Sequence, residues 1–117
     1  MLVTLAEAKS YLRQDSNFED TLITTLIGTA ERICCDVARL SSSEFEAITA
    51  LTVENTSPIT VRSESVSVAE ALGWQSVLKG AVLYVLGYMY EHREEGDLKE
   101  VVMTLRHVLH AIREGVF

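Results

Sequence analysis

The sequence has 117 residues and a mass of 13.0 kDa, with 48% hydrophobic residues and one proline. These values predict one globular domain and exclude a disordered or collagen-like chain, because the apolar content can offset the chain entropy that is lost on folding. The formal net charge of −7 makes non-specific DNA binding unexpected, since the protein as a whole repels nucleic-acid phosphates.

The first residues predict a short helix rather than a leader segment. No basic stretch precedes an apolar one, unlike a secretory signal, so we expect a cytoplasmic protein. Thr4 and Glu7 have the spacing of a capping box, in which each side chain accepts a hydrogen bond from the other residue's amide. This box predicts a helix over residues 5–13.

A second capping box, Ser16 with Glu19, precedes a long amphipathic pattern. Apolar residues recur there at the three-four spacing of one helical face, which predicts a helix over residues 17–40. Cys34 and Cys35 are adjacent within this helix, where a disulfide would need a strained geometry. Both are predicted to be reduced thiols.

The pattern changes after residue 40. Ser43 and Glu46 form a third capping box that opens a short helix through Leu51. Between residues 52 and 68, β-branched and small polar residues predominate, and two strands joined by a turn, an extended arm that pairs with another subunit, or a mobile surface loop would each account for them. The alternating apolar residues of this arm are Ile59, Val61, Val66 and Val68.

A helix that begins near Gly73 carries apolar residues on all sides. Its longest nearly apolar stretch, residues 80–90, is shorter than the roughly 20 residues that a membrane span needs. Such a helix must be covered all round, and we expect part of it to contact another subunit, because a chain this small has few helices to wrap it. Gly80 and Gly87 are predicted to let a neighbouring helix approach closely.

Asp97 and Glu100 form a fourth capping box before a last amphipathic helix that ends near Glu114. The short connection predicts that this helix runs antiparallel to the apolar one. The expected fold is therefore an all-α single domain over residues 1–117, a small bundle of about four to five helices with a β-like arm inserted before the apolar helix.

The sequence contains no clear catalytic motif. Gly-rich phosphate loops and nucleophile elbows are absent. His107 and His110 have a metal-chelating spacing, but no third ligand is placed beside them, and His92 lies in a charged turn. We therefore predict no enzyme activity, no cofactor and no metal. Core and interface positions are favoured over a base-stacking surface for three tyrosines, Tyr84, Tyr88 and Tyr90.

Two separate stretches share one further pattern. The first contains Leu5, Glu7, Ala8, Lys9, Leu12, Arg13, Asp15, Phe18, Glu19, Asp20, Leu22, Ile23, Leu26, Ile27 and Ala30, and the second contains Tyr88, Tyr90, Glu91, Arg93 and Glu94. In order and spacing they resemble the head-tail connector, or adaptor, proteins of tailed bacteriophages. Residues 41–73, with their extra helix and arm, depart from the pattern of that family.

This resemblance implies a structural subunit that forms a homo-oligomeric ring under the portal protein of a phage or prophage. Such a ring extends the DNA channel, lets packaged DNA pass without specific binding, and offers a docking surface to a tail or stopper protein. The implied location is the virion, or the host cytoplasm during assembly. The expected subunit-interface residues are Lys9, Arg13, Asp15, Asp20, Ile59, Val61, Val66, Val68, Gly80, Gly87, Arg93 and Glu94.

Two other classes of function stay open. One is a small acidic regulatory or adaptor module that binds one partner protein through the apolar helix. The other is an enzyme or metal protein built around the three histidines. A ring or a concentration-dependent oligomer favours the connector, a strict monomer or simple dimer favours the regulatory module, and stoichiometric bound zinc favours the metal protein.

Overall fold

The computed structural model describes residues 2–13, 17–91, 99–110 and 112. The described chain is predominantly helical, with one two-stranded antiparallel sheet inserted between helices, which confirms the expected all-α bundle with a β-like arm. Its elements are α1 (Leu5–Leu12), α2 (Asp20–Val37), α3 (Ser42–Ala50), β1 (Ile59–Val61), β2 (Glu64–Val66), α4 (Val68–Glu91) and α5 (Lys99–Val108).

Helix α1 begins at the predicted capping box. The Thr4 hydroxyl accepts a hydrogen bond from the amide of Glu7 at 3.1 Å, and the Thr4 amide donates to a Glu7 carboxylate oxygen at 3.2 Å. Arg13 ends the helix in the left-handed conformation, with φ 57°. The preceding residues are fixed to α2, because the amides of Leu2 and Val3 donate to one carboxylate oxygen of Glu31 at 2.8 and 3.2 Å.

Helix α2 begins three residues later than predicted. Its N-terminal cap is Glu19, which makes no side-chain capping bond, and Ser16, the predicted cap, lies outside the described residues. The predicted apolar stripe is otherwise present, and α2 packs chiefly against α4. The buried residues of α2 are Ile23, Ile27, Ala30, Cys34 and Cys35.

The predicted capping box of the third helix is wrong by two residues. Ser41 and Glu44, rather than Ser43 and Glu46, cap α3. The Ser41 hydroxyl accepts from the Glu44 amide at 3.1 Å, and the Ser41 amide donates to Glu44 at 2.8 Å. The second carboxylate oxygen of Glu44 accepts the amide of Arg62 at 2.7 Å, so this box also holds the following hairpin.

The arm is a β-hairpin that pairs with itself. Ile59 lies opposite Val66 and Val61 opposite Glu64, and a turn at Arg62 and Ser63, both with positive φ, joins the strands. Positive φ at two central turn residues gives the twist that a two-residue hairpin loop needs. Val61 and Val66 are only 2% and 1% exposed, so the inner face of the hairpin belongs to the core.

The last residue of the predicted arm is a helical residue. Val68 is the first residue of α4 and is half-buried. The expectation that Val68 continues the extended, alternating pattern of Val66 was therefore wrong, because the helix begins at this residue.

Helix α4 is the centre of the bundle, and α1, α2, α3 and α5 all pack against it. Most of its apolar residues are buried or partly buried by the protein's own elements, and the expected contact of its remaining surface with another subunit stays a prediction. Two large apolar side chains of α4 are exposed, Val77 at 39% and Tyr84 at 41%.

Two side chains that are distant in sequence donate hydrogen bonds to the free carbonyl oxygens at the C-terminal ends of helices. The guanidinium of Arg62 donates to the carbonyl oxygens of Ala38 at 3.2 Å and Arg39 at 3.0 Å, just beyond α2, and also to that of Ile112. A cation is favourable there because the carbonyl ends of helices are negative. The Gln75 amide donates to the Ile48 and Leu51 carbonyls at 2.9 and 3.0 Å.

Helix α5 completes the bundle by packing on α4 and α2. Of its predicted stripe, Val101, Leu105, Leu109 and Ile112 are buried, whereas Val108 is 50% exposed. Asp97 of the predicted fourth capping box lies outside the described residues. Among the described residues, none of the helices combines the length and the apolar character that a membrane span requires.

Candidate subunit-contact site

An open cleft of about 440 Å³ lies between the end of α1 and the C-terminal half of α4. It joins the two stretches that carry the resemblance, because each supplies part of the wall. We call it the tyrosine cleft. Its lining residues are Tyr11, Leu12, Arg13, Tyr84, Gly87, Tyr88 and Glu91.

Gly87 forms the floor of the tyrosine cleft beside Tyr11. A Cβ atom added at Gly87 would lie 3.0 Å from Cε2 of the Tyr11 ring, closer than ordinary van der Waals contact. The close approach expected at this glycine is therefore present, and its partner is α1 of the same chain. Gly80 differs, because a Cβ there would meet nothing within 4 Å among the described residues.

Three aromatic rings surround the cleft. Tyr11 and Tyr84 are 51% and 41% exposed, and Tyr88 is half-buried and packs against the core. Two of the three tyrosines singled out from the sequence, Tyr84 and Tyr88, are thus brought together. Tyr11 was missed, since one aromatic residue on a short helix gives no signal that it faces a distant glycine.

The third tyrosine, Tyr90, contributes to a different contact. Its hydroxyl donates to a carboxylate oxygen of Glu19 at 3.0 Å, across 71 residues of sequence. This bond connects the C-terminal part of α4 to the start of α2. Glu19 directly follows Phe18, whose own side chain is 95% exposed.

Two opposite charges lie at the rim of the tyrosine cleft. Arg13 and Glu91 are both exposed, and within the described chain no hydrogen bond or ion pair engages either side chain. Arg13 was predicted as an interface residue, and its position at the mouth of an aromatic cleft is compatible with that role. The cleft can therefore receive an apolar group and can bind a carboxylate beside it.

Two other predicted interface residues pair with each other inside the chain. Lys9 Nζ lies 2.9 Å from Asp20 Oδ1, and their side chains are 17% and 32% exposed. Lys9 also donates to Asn17 at 2.9 Å. These bonds hold α1 on α2, so Lys9 and Asp20 position the cleft and the segment around Phe18.

Helix α1 is held on α4 by a second ion pair. The ammonium of Lys79 contacts the carboxylate of Glu7, and this hydrogen bond, together with that from the Thr4 amide, lowers the pKa of Glu7. The pair fixes α1 at the end opposite Tyr11. Both walls of the tyrosine cleft are thereby set by contacts within one chain.

The remaining predicted interface residues lie elsewhere. Val61 and Val66 are core residues, and Ile59 is half-buried on the hairpin. Their apolar side chains form no continuous exposed edge for a partner. Three predicted residues, Asp15, Arg93 and Glu94, lie outside the described residues.

The histidines and cysteines form no reactive cluster in the described ranges. His107 and His110 are exposed on the α5 side, and no group of three potential metal ligands occurs among the residues described. His92 lies outside them. Burial raises the pKa of Cys34 to about 12 and also raises that of Cys35, so both thiols stay protonated at neutral pH.

The chain was compared with protein-family models, with curated proteins and with solved structures, and none of them matches it.

Proposed function

We propose that this protein is a structural subunit of a head-tail connector ring in a tailed phage or prophage. In this proposal it docks under the portal protein, extends the DNA channel and presents a surface to a tail or stopper protein in the virion. The observation that carries the proposal is the meeting of the two resemblance stretches. They lie far apart in sequence, yet the Tyr90–Glu19 hydrogen bond and the tyrosine cleft join them at one end of the bundle.

Exposed aromatic side chains support an assembly role for this end. Tyr11, Phe18 and Tyr84 are all exposed there, although a lone folded chain gains nothing from leaving large aromatic groups in water. Aromatic residues are enriched at subunit interfaces. The tyrosine cleft and the Phe18 surface differ in shape, which suits the head-to-tail contacts from which rings are built.

The charge supports a conduit rather than a DNA-binding protein. With a net charge of −7, a ring of many copies is strongly acidic, and an acidic channel wall repels the duplex and lets it slide. Phosphate gripping needs clustered lysines or arginines. Part of the local basic charge is already neutralised, since Lys9 pairs with Asp20 and Arg32 with Asp36.

Electron microscopy of the purified protein, alone and with the portal protein of the same genome, tests this function. The expected result is a ring of copies seated coaxially on the portal. A protein that stays a strict monomer or simple dimer and does not bind the portal would contradict the proposal and favour a regulatory module. A mainly basic inner surface in an assembled ring would contradict the acidic channel wall.

A further inference from the structure

We propose that Phe18 of one copy inserts into the tyrosine cleft of a second copy, and that this contact joins neighbouring subunits. The inference rests on the proposed function for its biological setting, but it specifies the partner and the residues of the contact. Phe18 is the most exposed large apolar residue in the described chain, at 95%. It acts as the projecting group, and the tyrosine cleft acts as its receptor.

Phe18 is held in place although its ring is free. The residues on both sides of it are bonded to other elements, because Asn17 accepts a hydrogen bond from Lys9 at 2.9 Å and Glu19 accepts one from Tyr90 at 3.0 Å. These two bonds restrict the segment that carries Phe18, which reduces the entropy lost when the ring is buried in a partner. The exposed ring is thus pre-organised for binding.

The tyrosine cleft has the shape and chemistry to receive a phenylalanine ring. Its volume of about 440 Å³ exceeds that of one aromatic side chain, and the rings of Tyr11, Tyr84 and Tyr88 line it. Aromatic pairs prefer edge-to-face or offset geometries. A ring that enters between α1 and α4 can contact the tyrosine rings of both helices in such geometries. The missing side chain at Gly87 lets the Tyr11 ring lie close to α4, where it forms part of the cleft wall.

The charges beside the two surfaces are complementary. Arg13, at the rim of the tyrosine cleft, has no side-chain partner in the described part of its own chain. Phe18 is followed by two acidic residues, Glu19 and Asp20, at the start of α2. Glu19 and Asp20 are already bonded to Tyr90 and Lys9 of their own chain. An inserted Phe18 therefore brings an acidic segment toward Arg13, and this attraction favours the orientation that places the segment nearer Arg13 than Glu91.

Each copy has one Phe18 and one tyrosine cleft. When Phe18 of one copy fills the cleft of the next, the first copy keeps a free cleft and the second keeps a free Phe18, so the contact can repeat head to tail. Repetition of such a contact gives a closed ring if the rotation from each copy to the next adds up to one full turn. One aromatic anchor buries little area, so a single contact is weak and ring closure or a portal template stabilises the assembly.

The test measures molecular mass by analytical ultracentrifugation up to about 1 mM protein, a range that reaches weak contacts. Wild-type protein is expected to associate with rising concentration. Phe18→Ser should weaken this association about 10- to 100-fold, as loss of an aromatic anchor does. The matched control is Val53→Ser, which removes another exposed apolar side chain, 87% exposed and outside the cleft lining, and should leave association unchanged.

A mixing experiment isolates the head-to-tail geometry. Phe18→Ser keeps the cleft and loses the ring, whereas Tyr84→Glu keeps the ring and places an acidic group in the cleft wall. Each variant is expected to be monomeric alone. Their mixture should form a complex of two chains, twice the 13.0 kDa of one chain, and stop there, because neither copy can extend it.

Three results would overturn the contact: a wild-type protein that stays monomeric over the whole range, Phe18→Ser that associates like wild type, or a mixture that forms no two-chain complex. These outcomes are separable from failure of the proposed function. If Phe18→Ser still forms rings on a portal, the function stands and the contact is wrong. If the mixture pairs as expected but wild type never binds a portal, the contact stands and the function is wrong.

Discussion

Leucine substitutions at Gly80 and Gly87 should change stability in opposite directions. Both glycines lie within α4, where glycine costs about 1 kcal/mol relative to a good helix former such as leucine. At Gly80 an added Cβ atom meets nothing within 4 Å and the residue is exposed, so Gly80→Leu should raise the free energy of unfolding by about 0.5 to 1 kcal/mol.

At Gly87 the same helix gain is opposed by the Tyr11 ring. The first added carbon already lies 3.0 Å from Tyr11 Cε2, and the leucine carbons beyond it extend further into the tyrosine cleft. Overpacking of this kind costs about 1 to 3 kcal/mol. Tyr11 is half-exposed and can rotate away, so Gly87→Leu should lower the free energy of unfolding by about 0 to 2 kcal/mol net.

Urea unfolding followed by far-UV circular dichroism measures both variants under one condition. The expected difference between them is about 0.5 to 3 kcal/mol, with Gly80→Leu the more stable. Adding Tyr11→Ala to both backgrounds should remove most of that difference, because the ring is its cause. Equal stability of the two leucine variants would show that α1 does not pack on Gly87 as described.

Three further predictions concern the rest of the fold. Arg62→Ala should lower the free energy of unfolding by about 1 to 3 kcal/mol, because the Arg62 guanidinium donates hydrogen bonds to three carbonyl oxygens. The control Arg32→Ala, which breaks an exposed ion pair, should lower it by about 0 to 1 kcal/mol. Equal losses for the two variants in urea unfolding would refute the capping role of Arg62. Hydrogen bonds lower the pKa of Glu7, and at Glu44 burial raises the pKa but bonds from Ser41 and Arg62 outweigh it. A carboxyl whose pKa is lowered by folding stabilises the fold above its unfolded pKa, which is about 4.5. Thermal stability should therefore fall as the pH drops below about 4.5, and it should fall less steeply in Glu44→Gln. An unchanged dependence of the melting temperature on pH in that variant would contradict this prediction. Cys34 and Cys35 should react with a thiol reagent only as the protein unfolds, and rapid labelling of the native protein would contradict their burial.

The local parts of the fold were predictable because their signals are short in sequence. The Thr4 capping box and the apolar stripe of α2 each depend on residues within a few turns, and both were found. The third box failed for a physical reason. Ser41 to Glu46 contains the Ser-x-x-Glu spacing twice, and the choice between the two depends partly on Glu44 accepting the Arg62 amide, 18 residues away.

The long-range contacts carried no sequence signal. Arg62 reaches a carbonyl 50 residues distant, and nothing in its neighbours marks it as a helix-capping residue. How much of α4 its own chain covers was not predictable either, because α1, α2, α3 and α5 pack on it through contacts between residues far apart in sequence. Of the candidate site, Arg13, Gly87, Tyr84 and Tyr88 came from the sequence, whereas Tyr11 and the exposed Phe18 ring required the structure.

A cryo-EM reconstruction of the protein bound to its portal tests the function most directly. The account predicts a closed ring in which identical copies are related by rotation about the DNA channel and the Phe18 ring of each copy fills its neighbour's tyrosine cleft. Absence of any ring on the portal would contradict it.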